Sequence, residues 1–167
     1  MSTVLVSPGS SRSESIALQT RKKRNIPNSQ TFDLGEWDRR SAADIRKTYE
    51  GPGAAFGSGP SPLYNCHGLV FASRRTCILD PSLILKILED DGFMEVGADS
   101  LLPGDVILYH ANGEILHSGV VVKMTEFGPF VWSKWGKGHE VVHMYSQCPY
   151  KVDAVKYFRM VSHDKYD

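Results

Sequence analysis

The sequence predicts an α+β fold in which N-terminal helices pack on an antiparallel sheet of about five strands. Two observations lead to this fold class. Apolar stretches bounded by helix start and stop signals occupy the chain up to about residue 92, and segments rich in β-branched residues follow them. These later segments are separated by short Gly, Pro or polar breaks, which is typical of an antiparallel meander. The chain of 167 residues is long enough for one domain with its own core.

The first 30 residues are predicted to be a flexible basic tail. They are rich in Ser, Arg and Lys, and they include the basic cluster RKKR at 21–24. A contact with nucleic acid through this cluster is the weaker alternative. Residues 31–62 form an N-terminal extension, in which SAADIRKTY predicts a short helix beginning at Ser41 and the Gly/Pro/Ser-rich stretch 51–62 predicts a loop.

Residues 63–162 are predicted to be the main domain. A first helix covers CHGLVFASRRTC, beginning within a residue of Cys66. A second covers PSLILKILEDDG, with Pro81 near its start and Gly92 at its end. The predicted strands are DVILYH, ILHSGVVVKM, PFVWSKWG, HEVVHMY and DAVKYFRM.

Composition narrows the classes of partner and compartment. Lys+Arg and Asp+Glu number 19 each, so net charge gives no reason to expect a nucleic-acid or anionic-membrane partner. Three widely spaced cysteines make a disulfide framework improbable and suit a reducing compartment. The N-terminus lacks the pattern of a signal peptide, and no apolar run has membrane-spanning length. We therefore expect a cytoplasmic protein or one exported by a leaderless route.

Cys66 is the candidate nucleophile, although a buried structural thiol is the ordinary alternative. A nucleophilic cysteine needs a lowered pKa, a base and donors for an oxyanion, and a helix N-terminus provides the first and the last. The loop 51–62 leads directly into Cys66, which places it at such a terminus. Cys77 should lie about three turns further along the same helix, and Cys148 lies in a late loop, so both are predicted to be structural.

His117 is the best candidate for the base, because it begins a strand next to the small residues Ser118 and Gly119. His67 follows Cys66 directly, but adjacent side chains on a helix diverge. His139 and His143 share a strand face about 13 Å apart, too far for one zinc ion. No metal site and no cofactor is predicted.

Three segments together resemble the NlpC-type cysteine peptidases of the papain-like superfamily. YNCHGLV resembles that family's Tyr/Phe-Asp-Cys-Ser-Gly-Leu-Val signature, LLPGDVILYH resembles its Pro-Gly-Asp segment, and ILHSGVVV resembles its histidine strand. They occur in the family's order over roughly residues 60–160. The resemblance implies a papain-like fold, with Cys66 as nucleophile and His117 as general base.

The resemblance also implies further site residues. Tyr64 would donate its hydroxyl near the oxyanion, and Ser133, or else His139, would accept a ring N–H of the base. Asn65 and His67 stand where the family has Asp and Ser, so the substrate pocket beside Cys66 differs from the family's.

The expected function is that of a cysteine hydrolase that cleaves a peptide or isopeptide bond through a thioester, with cell-wall peptides as the first substrate to consider. A cysteine-dependent deamidase, an acyltransferase or an effector toxin would use the same nucleophile. A non-catalytic binding module that retains the fold is the alternative from another class. The expected partner is a peptide or peptidoglycan-like substrate, with neither membrane nor nucleic acid.

Overall fold

The structure, a computed structural model, describes residues 13–161 and is built on a seven-stranded antiparallel sheet. The sheet strands are β3 (Ala54–Phe56), β4 (Phe93–Val96), β5 (Val106–Ala111), β6 (Glu114–Thr125), β7 (Gly128–Lys134), β8 (Glu140–Met144) and β9 (Ala154–Met160). Their order across the sheet is β3-β8-β7-β6-β5-β9-β4. Two further strands, β1 (Ser13–Glu14) and β2 (Gln30–Thr31), pair with each other. The α+β class is confirmed.

The sheet has two more strands than the five predicted. The predicted segments form β5 to β9, and the additional strands β3 and β4 lie at the two edges. The three-residue strand β3 lies inside the stretch 51–62, which was expected to be loop, and it pairs with β8. Strand β4 directly follows the second predicted helix and pairs with β9. Such short edge strands have too few residues for an alternating pattern to be visible in the sequence.

The three α-helices of the described chain are α1 (Glu36–Tyr49), α2 (Cys66–Ala72) and α3 (Ser82–Asp91). Helix α3 confirms its prediction, with Gly92 ending it at φ 77°. Helix α1 begins earlier than the predicted Ser41. Helix α2 is shorter than predicted, because Ser73 and Arg74 take left-handed backbone angles (φ 49° and 65°) and end it.

The early end of α2 corrects the predicted position of Cys77. This residue lies beyond the helix, where its backbone forms a bridge with Ser29. Its buried thiol donates weakly to the carbonyl oxygens of Pro62 and Leu63, both at 3.7 Å. A structural role for Cys77 remains the interpretation that its contacts support.

The part of the predicted tail that the structure describes, residues 13–30, packs on the domain. Ile26 is buried in the core beneath α3. Arg24, the last residue of RKKR, donates at 2.7 Å to the buried carboxylate of Asp90 on α3, and the Thr20 hydroxyl donates to the same group. This segment therefore differs from the solvated tail that was expected, since its composition does not reveal these tertiary contacts. Residues 1–12 of the predicted tail lie outside the described residues.

The two faces of the sheet pack in different apolar clusters, and Ser118 and His117 lie on opposite faces. One apolar cluster, with contributions from α3 and α2, packs on the face formed by Val106 and Leu108. The opposite face contains Ile107 and Tyr109. Because side chains alternate along a strand, Ser118 lies on the same face as Leu108, its partner in the register, and His117 on the face of Tyr109. Between residues 13 and 161, no helix combines the length and apolar character needed to cross a membrane.

Candidate functional site

Cys66 is the first residue of α2, as predicted, and Asn65 fixes that position. The Asn65 side-chain oxygen caps the helix by accepting from the Gly68 N–H at 2.9 Å, and it also accepts from the Ile78 N–H at 3.1 Å. Its amide donates to the Ile78 carbonyl at 2.8 Å. A Cβ on Gly68 would lie 1.7 Å from the Thr76 carbonyl oxygen, so only glycine permits this close approach. Asn65 thus holds Cys66 at the start of α2. Its side-chain oxygen and its amide nitrogen both have hydrogen-bond partners within the fold.

The Cys66 thiol is buried among hydrogen-bond donors. Burial raises the pKa of the Cys66 thiol, and the backbone N–H groups of Ser118 and His67 and the Ser118 hydroxyl offset this only in part. The thiol is therefore protonated at neutral pH in this arrangement. The donors around the sulfur are those that would stabilise negative charge once it forms.

His117 is fully buried, and its ring lies between two tyrosine rings. The ring centroids are 5.2 Å from Tyr109 and 4.5 Å from Tyr150. Neither ring nitrogen has a hydrogen-bond partner among the described residues. Burial holds the pKa of His117 well below its usual value, so the imidazole is neutral.

No hydrogen bond joins Cys66 and His117, but two neighbours connect them. Ser118, the next residue after His117, interacts with the thiol through its N–H and its hydroxyl. Tyr150, which stacks on His117, also interacts electrostatically with Cys66. Among the described residues, Ser118 and Tyr150 are thus the links between Cys66 and His117, whose side chain lies on the sheet face opposite that of Ser118. Catalytic hydrogen bonds often tighten only when substrate binds.

The residues expected to orient His117 have other partners. The Ser133 hydroxyl lies 2.7 Å from Nε2 of His143 and accepts from the Trp135 indole N–H at 3.1 Å. Nδ1 of His143 faces the Met144 carbonyl oxygen at 2.8 Å, which requires the proton on Nδ1 and leaves Nε2 to accept from Ser133. The Ser133 proton is thus directed at His143 and not at His117.

The other candidate for this role, His139, packs edge-on against Phe56 with ring centroids 5.3 Å apart. Among residues 13–161, no hydrogen bond or ring contact joins His139 to His117, whose ring lies against the two tyrosines. Aromatic stacking therefore takes the place of the predicted orienting hydrogen bond.

Tyr64 and His67 are both close to Cys66 in sequence, but their polar atoms are bonded elsewhere. The Tyr64 hydroxyl donates to Glu140 at 2.5 Å, and burial raises its pKa. Nδ1 of His67 lies 2.8 Å from the Ser118 hydroxyl, and burial lowers the pKa of His67 to about 4. The Tyr64 hydroxyl would have to leave Glu140 before it could donate to an oxyanion. The neutral His67 ring hydrogen-bonds with the Ser118 hydroxyl.

Two buried charged residues near α2 were not selected from the sequence. Glu140 accepts from Arg74 at 2.6 Å and from the Trp132 indole at 2.9 Å, in addition to Tyr64. Lys134 is fully buried, and burial lowers its pKa to about 8. In the sequence, a Lys at the end of one strand and a Glu at the start of the next give no sign of burial, because burial depends on tertiary packing and on bonds to Ser61 and Arg74, which are distant in the chain.

A groove of about 290 Å³ opens between α1 and the turn at residues 136–138. Its lining includes Trp37 and Tyr150, and Asp38 pairs with Lys137 beside it at 3.1 Å. Since Tyr150 also stacks on His117, this ring separates the groove from the predicted base. Among residues 13–161, no group of three or more His, Cys, Asp or Glu side chains is arranged to bind a metal ion.

Comparison of the chain with protein-family models, with curated proteins and with solved structures gave no match in any of the three. The family resemblance therefore remains an expectation from the three motifs, and so does the papain-like assignment of the fold.

Proposed function

We propose that the protein is a cysteine hydrolase that cleaves an amide bond through a thioester on Cys66, with His117 as the proton acceptor. The observation that carries the proposal is the environment of Cys66. The residue begins α2, N–H groups of Ser118 and His67 favour negative charge on its sulfur, and His117, the residue before Ser118, is a buried histidine without a hydrogen-bond partner among the described residues. An unpaired buried polar group is costly and is often retained for chemistry.

The directions of the two pKa shifts favour general-base catalysis from a neutral pair. As the sulfur bonds to the substrate carbonyl carbon, the thiol proton passes to His117 and the carbonyl π electrons move to oxygen. The N–H groups near the sulfur stabilise this oxyanion. His117 then protonates the leaving amine as the C–N bond breaks. Water attacks the thioester, its proton passes through His117 to the departing sulfur, and a carboxylic acid is released.

Substrate access in this scheme requires Tyr150 to move. Its ring forms one wall of the groove beside α1 and covers His117 on the other side. A peptide or isopeptide in the groove would reach the base once the ring rotated away. Cell-wall peptides come first among the substrates on the strength of the motif resemblance alone.

A deamidase or acyltransferase would use the same Cys66 thioester and would differ in the group that leaves or accepts. A non-catalytic binding module is favoured by one specific observation, the burial of the Cys66 thiol and the resulting rise of its pKa. The products of the assay described next distinguish these alternatives from the hydrolase.

The test is digestion of purified peptidoglycan and of an unfolded protein, with mass analysis of the products. We expect new amine termini with the wild type and none with Cys66→Ala. Cys77→Ala is the matched control, because Cys77 is buried to a similar degree at 9% exposure against 8%. Cleavage that persists in Cys66→Ala would refute the assignment of the nucleophile. Absence of cleavage by the wild type on both substrates, without deamidated or acyl-transferred products, would favour the binding module.

A further inference from the structure

Trp37 is an exposed aromatic residue on the side of α1 that faces the domain. It shares this side with Ser41 and Ile45, which follow it at intervals of four residues. Ile45 packs against a core cluster, but Trp37, at the other end of the same stripe, is 77% exposed. All three residues line the groove beside α1. Aromatic and apolar side chains at such a groove are typical of a binding site.

Trp37 differs in its exposure from the other two tryptophans of the chain. Trp132 donates its indole N–H to Glu140 at 2.9 Å, and Trp135 donates to Ser133 at 3.1 Å. Trp37, by contrast, presents most of its ring to solvent. Its ring is therefore available to a ligand in the groove.

The groove has a size and a lining that suit one large apolar side chain. Its volume of about 290 Å³ lies near the lower end of the range of about 300–1,000 Å³ for ligand sites, so it holds a single side chain better than an extended ligand. Pro149 and Tyr150 complete the lining. An aromatic ring in the groove would thus contact the Trp37 indole, a proline ring and a second aromatic ring.

The charged residues that line the groove compensate each other. Asp38 and Lys137 form an ion pair at 3.1 Å, and the Asp38 side chain is only 18% exposed. In the described part of the chain, these two are the only charged residues of the lining. A charged ligand group would have to break this ion pair to gain a partner, whereas an uncharged group would leave it intact. Charge complementarity therefore favours an uncharged side chain.

The groove also reaches the candidate site through Tyr150. This ring lines the groove and stacks on His117 with ring centroids 4.5 Å apart. A side chain bound between Trp37 and Tyr150 would hold the neighbouring peptide bonds of its own chain next to the ring that covers the base.

We propose that the groove beside α1 binds a large apolar side chain, above all an aromatic one, of a peptide substrate, and that Trp37 determines this specificity. The inference rests on the proposed function, because it names the class of peptide that the hydrolase would select. Binding of the side chain itself can be measured without any cleavage.

The test is a titration of the full chain with N-acetyl-phenylalanine amide, monitored by NMR. The signals to follow are the Trp37 indole N–H and the backbone N–H groups of Gly136 and Gly138, because these residues line the groove. N-acetyl-glycine amide is the matched probe, since it has the same backbone without the side chain. We expect the phenylalanine amide to shift these signals to saturation and the glycine amide to leave them unchanged.

Trp37→Ala and Phe127→Ala are the matched variants, because both side chains are 77% exposed and neither belongs to the core. Phe127 lies in the turn between β6 and β7 and does not line the groove. Loss of an aromatic contact should weaken binding of the phenylalanine amide about two- to tenfold in Trp37→Ala, measured from the two glycine signals. Phe127→Ala should bind this amide as the wild type does.

Lys137→Gln tests the argument from charge. It leaves the Asp38 carboxylate in the groove without its partner. N-acetyl-lysine amide, whose side chain carries an ammonium group, should then bind more tightly than it does to the wild type, and the phenylalanine amide should not gain. An unchanged affinity for the lysine amide would contradict the selection of an uncharged side chain by this ion pair.

Equal binding of the phenylalanine and glycine amides, or equal affinity of the wild type and Trp37→Ala, would overturn the inference. Its failure is separable from that of the proposed function. Selective binding without cleavage of an unfolded protein would support the role of the groove and refute the hydrolase. Cleavage that needs Cys66, shows no preference for apolar residues near the cut and persists in Trp37→Ala would support the hydrolase and overturn the inference.

Discussion

Mild acid should destabilise the fold strongly, because the structure buries histidines in their neutral form. Burial lowers the pKa of His67 and of His143 to about 4, from an ordinary value of 6.5. Below pH 6.5 the unfolded chain therefore binds more protons than the folded one, and the free energy of unfolding falls as pH decreases. The loss begins near pH 6.5 and is complete near pH 4.

The expected magnitude follows from these pKa values. Between pH 7.5 and pH 5.5, each of the two histidines should remove about 1.3 kcal/mol of stability, which gives about 2.6 kcal/mol together. His117, whose pKa burial also lowers, adds to the loss with the same sign. Carboxylates with lowered pKa, such as Asp90, act only at more acidic pH, because their unfolded pKa lies near 4.

The assay is urea unfolding at pH 7.5 and pH 5.5, in the wild type and in His143→Gln. The difference between the two pH values is the readout, so the variant's own cost in stability cancels. We expect this difference to shrink by about 1.3 kcal/mol in the variant, because one of the neutral histidines has been removed. Equal stability of the wild type at both pH values, or an unchanged pH dependence in His143→Gln, would refute the reasoning.

Three further substitutions test the structure around α2 by urea unfolding. Gly68→Ala should cost about 3 kcal/mol or prevent folding, because the new Cβ would lie 1.7 Å from the Thr76 carbonyl, whereas Gly97→Ala has open space and should be nearly neutral. Asn65→Ala should cost about 2 kcal/mol, since it removes the helix cap and the link to the next segment, and Asn65→Asp, which keeps the capping oxygen, should cost less. Glu140→Ala should cost about 2 kcal/mol, because a buried hydroxyl and an indole N–H lose their acceptor, and Glu140→Gln should cost less. Equal effects of a substitution and its control would contradict each of these accounts.

The elements predicted correctly are those with long periodic patterns or strong end signals. Helix α3 lies between Pro81 and Gly92, and strands β5 to β9 are rich in β-branched and aromatic residues. The end of α2 was not predictable, because the left-handed backbone at Ser73 and Arg74 contradicts the ordinary preference of these residue types. The burial of Ile26 depends on tertiary contacts that local composition does not encode.

The candidate site shows the same limit. The loop before Cys66 places it at a helix start, and that inference from local sequence is confirmed. The partner of Ser133 depends on the register between β7 and β8, which brings His143 to its hydroxyl. Likewise, the burial of Glu140 can be explained only when its hydrogen bonds with Tyr64, Arg74 and Trp132 are known. Such pairings are decided by strand register and packing, and a single sequence does not reveal them.

The most direct test of the proposed nucleophile and base compares alkylation of Cys66 and Cys77 at neutral pH. The two thiols are similarly buried, burial raises the pKa of each, and Lys134 interacts with both. They differ in the helix start and in the bonding of Cys66 with Ser118, the residue after His117. We predict faster alkylation at Cys66, with the difference lost in His117→Gln. Equal rates at the two cysteines in the wild type, or a difference that survives in His117→Gln, would contradict the assignment of Cys66 and His117.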